Sequence, residues 1–133
     1  MKIQVFQIFL FLTMSFSIVN AEKHIHYEKF YQKIFCNKMK GSLEYKLSDG
    51  SRIDCLTSTY AVEVDFANKW HESIGQSLYY SLESGKKPAV LLIMERKYKD
   101  VDKLKKLNKV AKKYGIVVFT IDSELVIKRV KLK

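Results

Sequence analysis

The side chains of Asp54, Glu63 and Asp65, followed closely by Lys69, Gln76 and Tyr80, are the part of this chain whose types and spacing could do chemistry. From Tyr60 to Phe66 a period of two places Glu63 and Asp65 on one face of a strand, with Val62, Val64 and Phe66 on the other. A carboxylate on a largely apolar strand is costly to bury unless a cation pairs with it or a metal ion binds it. Asp54, on the preceding strand, can stand on the same side of the sheet as Glu63. Such a pair suits a hard divalent cation, and oxygen ligands without imidazole or thiolate select magnesium or manganese. An ion held there can lower the pKa of bound water and stabilise charge on a phosphodiester. The plainer alternative is a set of structural ion pairs with Arg52, Lys69 or other lysines.

The surrounding pattern must supply a sheet. Tyr27, Phe30, Tyr31, Ile34 and Phe35 recur at helical spacing between His24 and Met39, and Gly41 ends that helix. Ser42 to Leu47 and Ser51 to Leu56 alternate like strands about Ser48-Asp49-Gly50, a hairpin signal in which glycine takes the positive φ of the turn. Tyr60 to Phe66 is a third strand. A helix follows from Lys69 to about Leu82, with Asn68 as its expected N-cap and Trp70, Ile74 and Leu78 as its buried stripe. Lys69, Glu72, Gln76 and Tyr79 or Tyr80 line the neighbouring stripe. The apolar run Ala89 to Met94 suits a central strand. Asp100 to Tyr114 is expected as a lysine-faced helix burying Val101, Leu104, Leu107, Ala111 and Tyr114, stopped by Gly115. Ile116 to Ile121 is a further strand, and 125–133 is a basic edge strand or a loose tail. The order helix-strand-strand-strand-helix-strand-helix-strand (αβββαβαβ) predicts an α/β fold, a mixed sheet of about five strands flanked by helices.

Length and composition limit what this sheet can be. With 133 residues and 47% apolar content, the chain has room for one packed core. Residues 1–21 have the form of a cleaved signal peptide: Met1-Lys2, an apolar run from Ile3 to Val19, then Val19-Asn20-Ala21 before the cut. An uncleaved membrane anchor is the competing reading of that run. Residues 22–133 would then form a single secreted or periplasmic domain. A net charge of +10 belongs almost wholly to that domain and favours an anionic partner, nucleic acid or an acidic surface. Cys36 and Cys55, both in the exported part, favour a disulfide in an oxidising compartment, with two buried thiols as the alternative. His24 and His26 lie near the new amino terminus, where an unstructured segment is expected, and His71 reads as a surface histidine.

The carboxylates, their spacing and the order of elements together resemble the PD-(D/E)xK nuclease superfamily, the restriction-endonuclease-like fold. The likeness spans the chain from the first helix to Ile121. It implies that Asp54 is the superfamily's aspartate, that Glu63 is the acidic residue of its second motif, and that the main-chain carbonyl of Val64 is a further metal ligand. It also implies Mg2+ or Mn2+ as cofactor and DNA as the partner. Glu28 or Glu44 could occupy the place of the extra upstream acidic residue that many members carry. Gln76 and Tyr80, four apart on the following helix, resemble the Gln-x-x-x-Tyr signature of the helicase-associated branch. The chain departs from the pattern at Asp65, where the superfamily has lysine. Lys69, at the start of the next helix, could reach the vacated space, with Asp65 as a further metal ligand or as the group holding Lys69.

Three expectations follow. The chain is an exported metal-dependent deoxyribonuclease using Asp54, Glu63, Asp65, Lys69, Gln76 and Tyr80; or a catalytically inactive nuclease fold that binds DNA or another polyanion; or a small disulfide-bonded periplasmic interaction protein.

Overall fold

The computed structural model describes residues 22–132, so the expected signal peptide lies outside the described residues. The elements are α1 (Glu28–Lys38), β1 (Ser42–Lys46), β2 (Arg52–Leu56), β3 (Tyr60–Phe66), a 3-10 turn (Ala67–Lys69), α2 (Trp70–Ser84), β4 (Lys87–Met94), α3 (Lys97–Tyr114), β5 (Val117–Asp122) and β6 (Ile127–Arg129). The fold is α/β, with one six-stranded mixed sheet in the order β1-β2-β3-β4-β5-β6 and helices on its faces. β1, β2 and β3 pair antiparallel, β3, β4 and β5 parallel, and β6 returns antiparallel on β5. Each parallel step carries a crossover helix, as the geometry of parallel strands requires. The undecided C-terminal stretch resolves into the short edge strand β6, which makes the sheet six strands wide rather than about five.

Alternation along β3 divides the interior into two cores. Val62, Val64 and Phe66 pack with Tyr31, Phe35, Leu91 and Ile93 beneath α1. On the other face Ala67, Val90, Leu92 and Val118 pack with Leu107 and Ala111 of α3 and the partly buried Trp70, Ile74 and Leu78 of α2. Glu63 and Asp65 share the parity of Ala61 and Ala67, and therefore the face that α2 and α3 cover.

Three local expectations need correction. α1 begins at Glu28, four residues later than expected, so Tyr27 lies outside the helix at 89% exposure and Phe30 is also exposed; the buried stripe is Tyr31, Gln32, Phe35 and Cys36. Asn68 does not cap α2: with Phe66 and Ala67 buried on opposite faces, the chain turns at once through the 3-10 segment, and Lys69 occupies the cap position without a side-chain bond. In α3, which starts at Lys97, Leu107 and Ala111 are buried, but Val101 and Tyr114 are exposed.

Cys36 and Cys55 form a disulfide that ties α1 to β2 across 19 residues. Gly41 lies against it, and a Cβ added there would sit 2.6 Å from Cys55 Sγ, 2.9 Å from Cys36 Sγ and 3.0 Å from Leu56 O. Gly41→Ala should therefore cost about 1–3 kcal/mol through overpacking, read as a fall in Tm. Placed on a Cys36→Ala, Cys55→Ala background, the same change should cost much less, because the sulfurs it meets are gone. Equal penalties on the two backgrounds would show that the crowding is not at the bridge.

Candidate active site

The site begins where β2 and β3 part. Their ladder ends at Cys55–Val62, and the next residues do not pair. The Val64 N–H, which needs an acceptor at this buried position, donates instead to Asp54 Oδ2 at 2.8 Å. The Asp54 carbonyl accepts from Gln32 Nε2 of α1 at 2.8 Å, and the same nitrogen donates to Glu44 Oε1 at 2.8 Å. β1 bends at this level, with Glu44 at a φ of 51°. Ile53 and Cys55, which should share a face, join different clusters, Ile53 packing with Ala61 and Tyr80. The irregularity in both strands opens a gap in the sheet, and acidic side chains fill it.

Glu63, only 5% exposed, lies beside Asp54, and its buried Oε2 receives no hydrogen bond from any N–H or O–H group among the described residues. Asp65, 4% exposed, lies beside Glu28 from the first turn of α1. Lys69 Nζ stands 3.9 Å from Asp65 Oδ1, its side chain half exposed. Tyr80 is buried close enough for its hydroxyl to feel the charges of Glu63 and Asp54, and it lies beside the exposed Gln76. The structure thus gathers Asp54, Glu63, Asp65, Lys69 and Tyr80, with Gln76 at the rim. Val64 enters through its N–H. Of the two upstream acids, Glu28 lies against Asp65, and Glu44 stands behind Asp54 on Gln32.

The electrostatics of this cluster are unfavourable to charge. Burial, then repulsion from Asp54, Asp65 and Glu28, pushes Glu63 far above the usual carboxylate range. Asp54 is raised by burial first, partly offset by the Val64 N–H, then by the charges of Glu28 and Glu44. Asp65 is pushed up to about 7 by burial and Glu28, with Lys69 working against the rise. Glu28 is also raised, chiefly by burial. Four carboxylates around one partly exposed ammonium repel one another, and burial with that repulsion favours a proton held between Asp54 and Glu63. Among the described residues no three His, Cys, Asp or Glu side chains already stand in an arrangement that could hold a metal ion.

Position in the sheet supports attention to this cluster. Asp65 and Lys69 lie at the carboxyl end of β3, one of the three parallel strands, just before the chain turns into α2. The lysine-rich face lies elsewhere. Lys105, Lys109 and Lys131 line a depression of about 430 Å3 between α3 and the C-terminal segment, with no residue in common with the carboxylates.

Sequence reasoning missed two contributors. It does not single out Gln32, yet that side chain is only 3% exposed and donates to the Asp54 carbonyl. His24 and His26 are ordered rather than loose: Glu95, just after β4, accepts from the N–H of Ile25 at 2.9 Å, the N–H of His26 at 3.1 Å and the hydroxyl of Tyr31 at 2.8 Å. His24 Nδ1 lies 3.0 Å from the same carboxylate, and its ring stacks on Phe66 with centroids 3.6 Å apart. His71 is exposed, as expected of it. Among the described residues no helix is long and apolar enough to cross a membrane. Comparison of the chain with known protein families, characterised proteins and solved structures finds no match.

Proposed function

We propose that this chain is an exported, divalent-metal-dependent nuclease of restriction-endonuclease-like fold, hydrolysing phosphodiester bonds in DNA. The observation that carries the reading is the buried Glu63 Oε2 without a partner, inside a group of carboxylates that burial and mutual repulsion drive toward protonation. A fold keeps such a group at a cost in stability, and a hard cation is the ligand that relieves it. Asp54, Glu63 and the Val64 carbonyl would hold Mg2+ or Mn2+, with Asp65 as a further donor, once the shared proton leaves. The bound ion would supply a more acidic water and charge neutralisation at the phosphate.

The protein's own groups have distinct tasks in this reading. Gln32 and the Val64 N–H fix the Asp54 side chain and main chain, so that the acid cannot swing away from Glu63. Lys69, held toward the cluster by Asp65, presents an ammonium to the phosphate from the position that a lysine on β3 would otherwise serve. Gln76, beside Tyr80 at the rim, is placed to orient water or a phosphate oxygen. Exclusion of bulk water from Glu63 strengthens each of these interactions.

Full chain produced with its own leader should cut linear or plasmid DNA in Mg2+ or Mn2+ and not in EDTA. Lys69→Met should lower the rate by about 10²-fold, the usual cost of removing one charge-stabilising donor, with little change in Tm, because the side chain is half exposed. No cutting under any divalent cation would overturn the enzyme reading. It would favour instead the inactive polyanion-binding module, a second reading to which Asp65 in the lysine's place lends weight.

A further inference from the structure

A concavity beside the carboxylates has a volume of about 460 Å3 and is walled by the segment ahead of α1: His24, His26, Tyr27, Glu28, Phe30 and Phe66 are among its lining residues. Its rings are unevenly covered. His24 lies flat on Phe66 at 15° between planes, and His26 meets Phe30 at 4.3 Å, whereas Tyr27 projects into solvent. Glu28 belongs both to this wall and to the acidic cluster, which makes the concavity a neighbour of the cluster.

An irregular segment this exposed, ahead of the first helix, ordinarily frays. Here a buried carboxylate is given over to holding it. Burial pushes Glu95 up, but bonds from His26, Tyr31 and Ile25 hold it below the usual range, and Glu22 pairs with Arg96 alongside. An ordered aromatic wall with open ring area suits a flat π-system, and Lys23 and Lys29 are exposed on the same stretch to meet a charged backbone. Unpaired nucleobases stack on aromatic side chains in this way, whereas the bases of a duplex are already stacked on one another.

We propose that the concavity lined by the His24–Tyr27 segment, Phe30 and Phe66 is a base-stacking subsite, which makes single-stranded nucleic acid, or the frayed end of a duplex, the substrate class of the neighbouring acidic site. The inference rests on the nuclease reading for the kind of polymer. Glu95 acts in it as a positioning residue, keeping the wall in place without touching the strand.

The test is binding by the full chain, in EDTA to prevent cutting, to a labelled single strand of about 20 nucleotides and to a hairpin duplex of matched length. Wild type should prefer the single strand. Tyr27→Ala should weaken single-strand binding by about 10-fold, and Tyr27→Ala with Phe30→Ala by more, without changing the salt slope, since stacking releases no counterions. Lys23→Ala with Lys29→Ala should instead make the salt slope shallower. Because Tyr27 and Phe30 are exposed, these variants keep the fold. Equal affinity for the two forms, single-strand binding indifferent to Tyr27 and Phe30, or no binding at all would overturn the subsite. Tyr27-dependent binding by a protein that cuts nothing in Mn2+ would uphold the subsite and overturn the enzyme reading, so the two failures are separable.

Discussion

Glu63→Gln should reduce metal-dependent cutting by at least about 10³-fold while leaving the protein folded and, without metal, more stable than wild type at pH 8. The first half follows from position. Glu63 is the most buried acid of the proposed ligand set after Asp65, and its Oε2 is the only cluster oxygen among the described residues that is both buried and unpartnered. Glutamine keeps the shape and one oxygen but cannot supply an anion to a cation that has few other ligands. The second half follows from repulsion. Glutamine removes an acid that Asp54, Asp65 and Glu28 all oppose, while its amide can still donate to Asp54. Loss of activity with a rise in Tm is a combination that a misfolded variant cannot produce. Asp54→Asn should lose activity similarly but gain less stability, because the carboxylate accepts from the Val64 N–H at 2.8 Å and an amide accepts less strongly. If Glu63→Gln cuts at the wild-type rate, the cluster is not the catalytic site.

What could be read from the sequence here was what depends on local period. The alternation of Tyr60 to Phe66 separates Glu63 and Asp65 from Val62, Val64 and Phe66, and the structure keeps that division, with the three apolar residues in one core and both faces of the strand buried. The hairpin about Asp49-Gly50 and the helix stop at Gly115 rest on chemistry within a few residues, and both are observed. The misses have the opposite character. The order of His24 and His26 depends on Glu95, about 70 positions away, and a sequence window contains no trace of that partner. Extending the helical stripe back to Tyr27 failed because the period persists beyond the helix that would use it. The parting of β2 and β3 leaves the Val64 N–H and the Asp54 carbonyl to be satisfied by side chains, one of them on α1. Composition signals that acids lie on the sheet. It does not signal that the sheet opens to receive them.

Without metal, the protein should lose stability as pH rises from about 4 toward 8, and Mg2+ or Mn2+ should restore it most at the upper end. The sign follows from the shifts. Asp54, Glu63, Asp65 and Glu28 all have folded-state pKa values above those of an unfolded chain. A raised value means that the folded state binds the proton more tightly. Its contribution is therefore complete below the unfolded pKa, near 4, and is lost as pH rises through the folded value. For Asp65 that window closes at about 7. The net charge, +10 at pH 7, is higher at acid pH and falls over the same range, which relieves general repulsion and works in the opposite direction. Wild type and Asp65→Asn carry nearly the same global charge, so the difference between their melting curves isolates the cluster. That difference should widen in favour of the variant as pH rises. A divalent cation takes the place of the proton, so its effect should be small at pH 5 and, at a hundred times its Kd at pH 8, amount to about 2.7 kcal/mol, a rise of roughly 10 °C or more in Tm. Calcium should give part of this rise without cutting, and Glu63→Gln should give almost none. A metal response equal at pH 5 and pH 8, or unchanged in Glu63→Gln, would place the cation elsewhere on the protein and leave the buried carboxylates as a structural, proton-sharing knot.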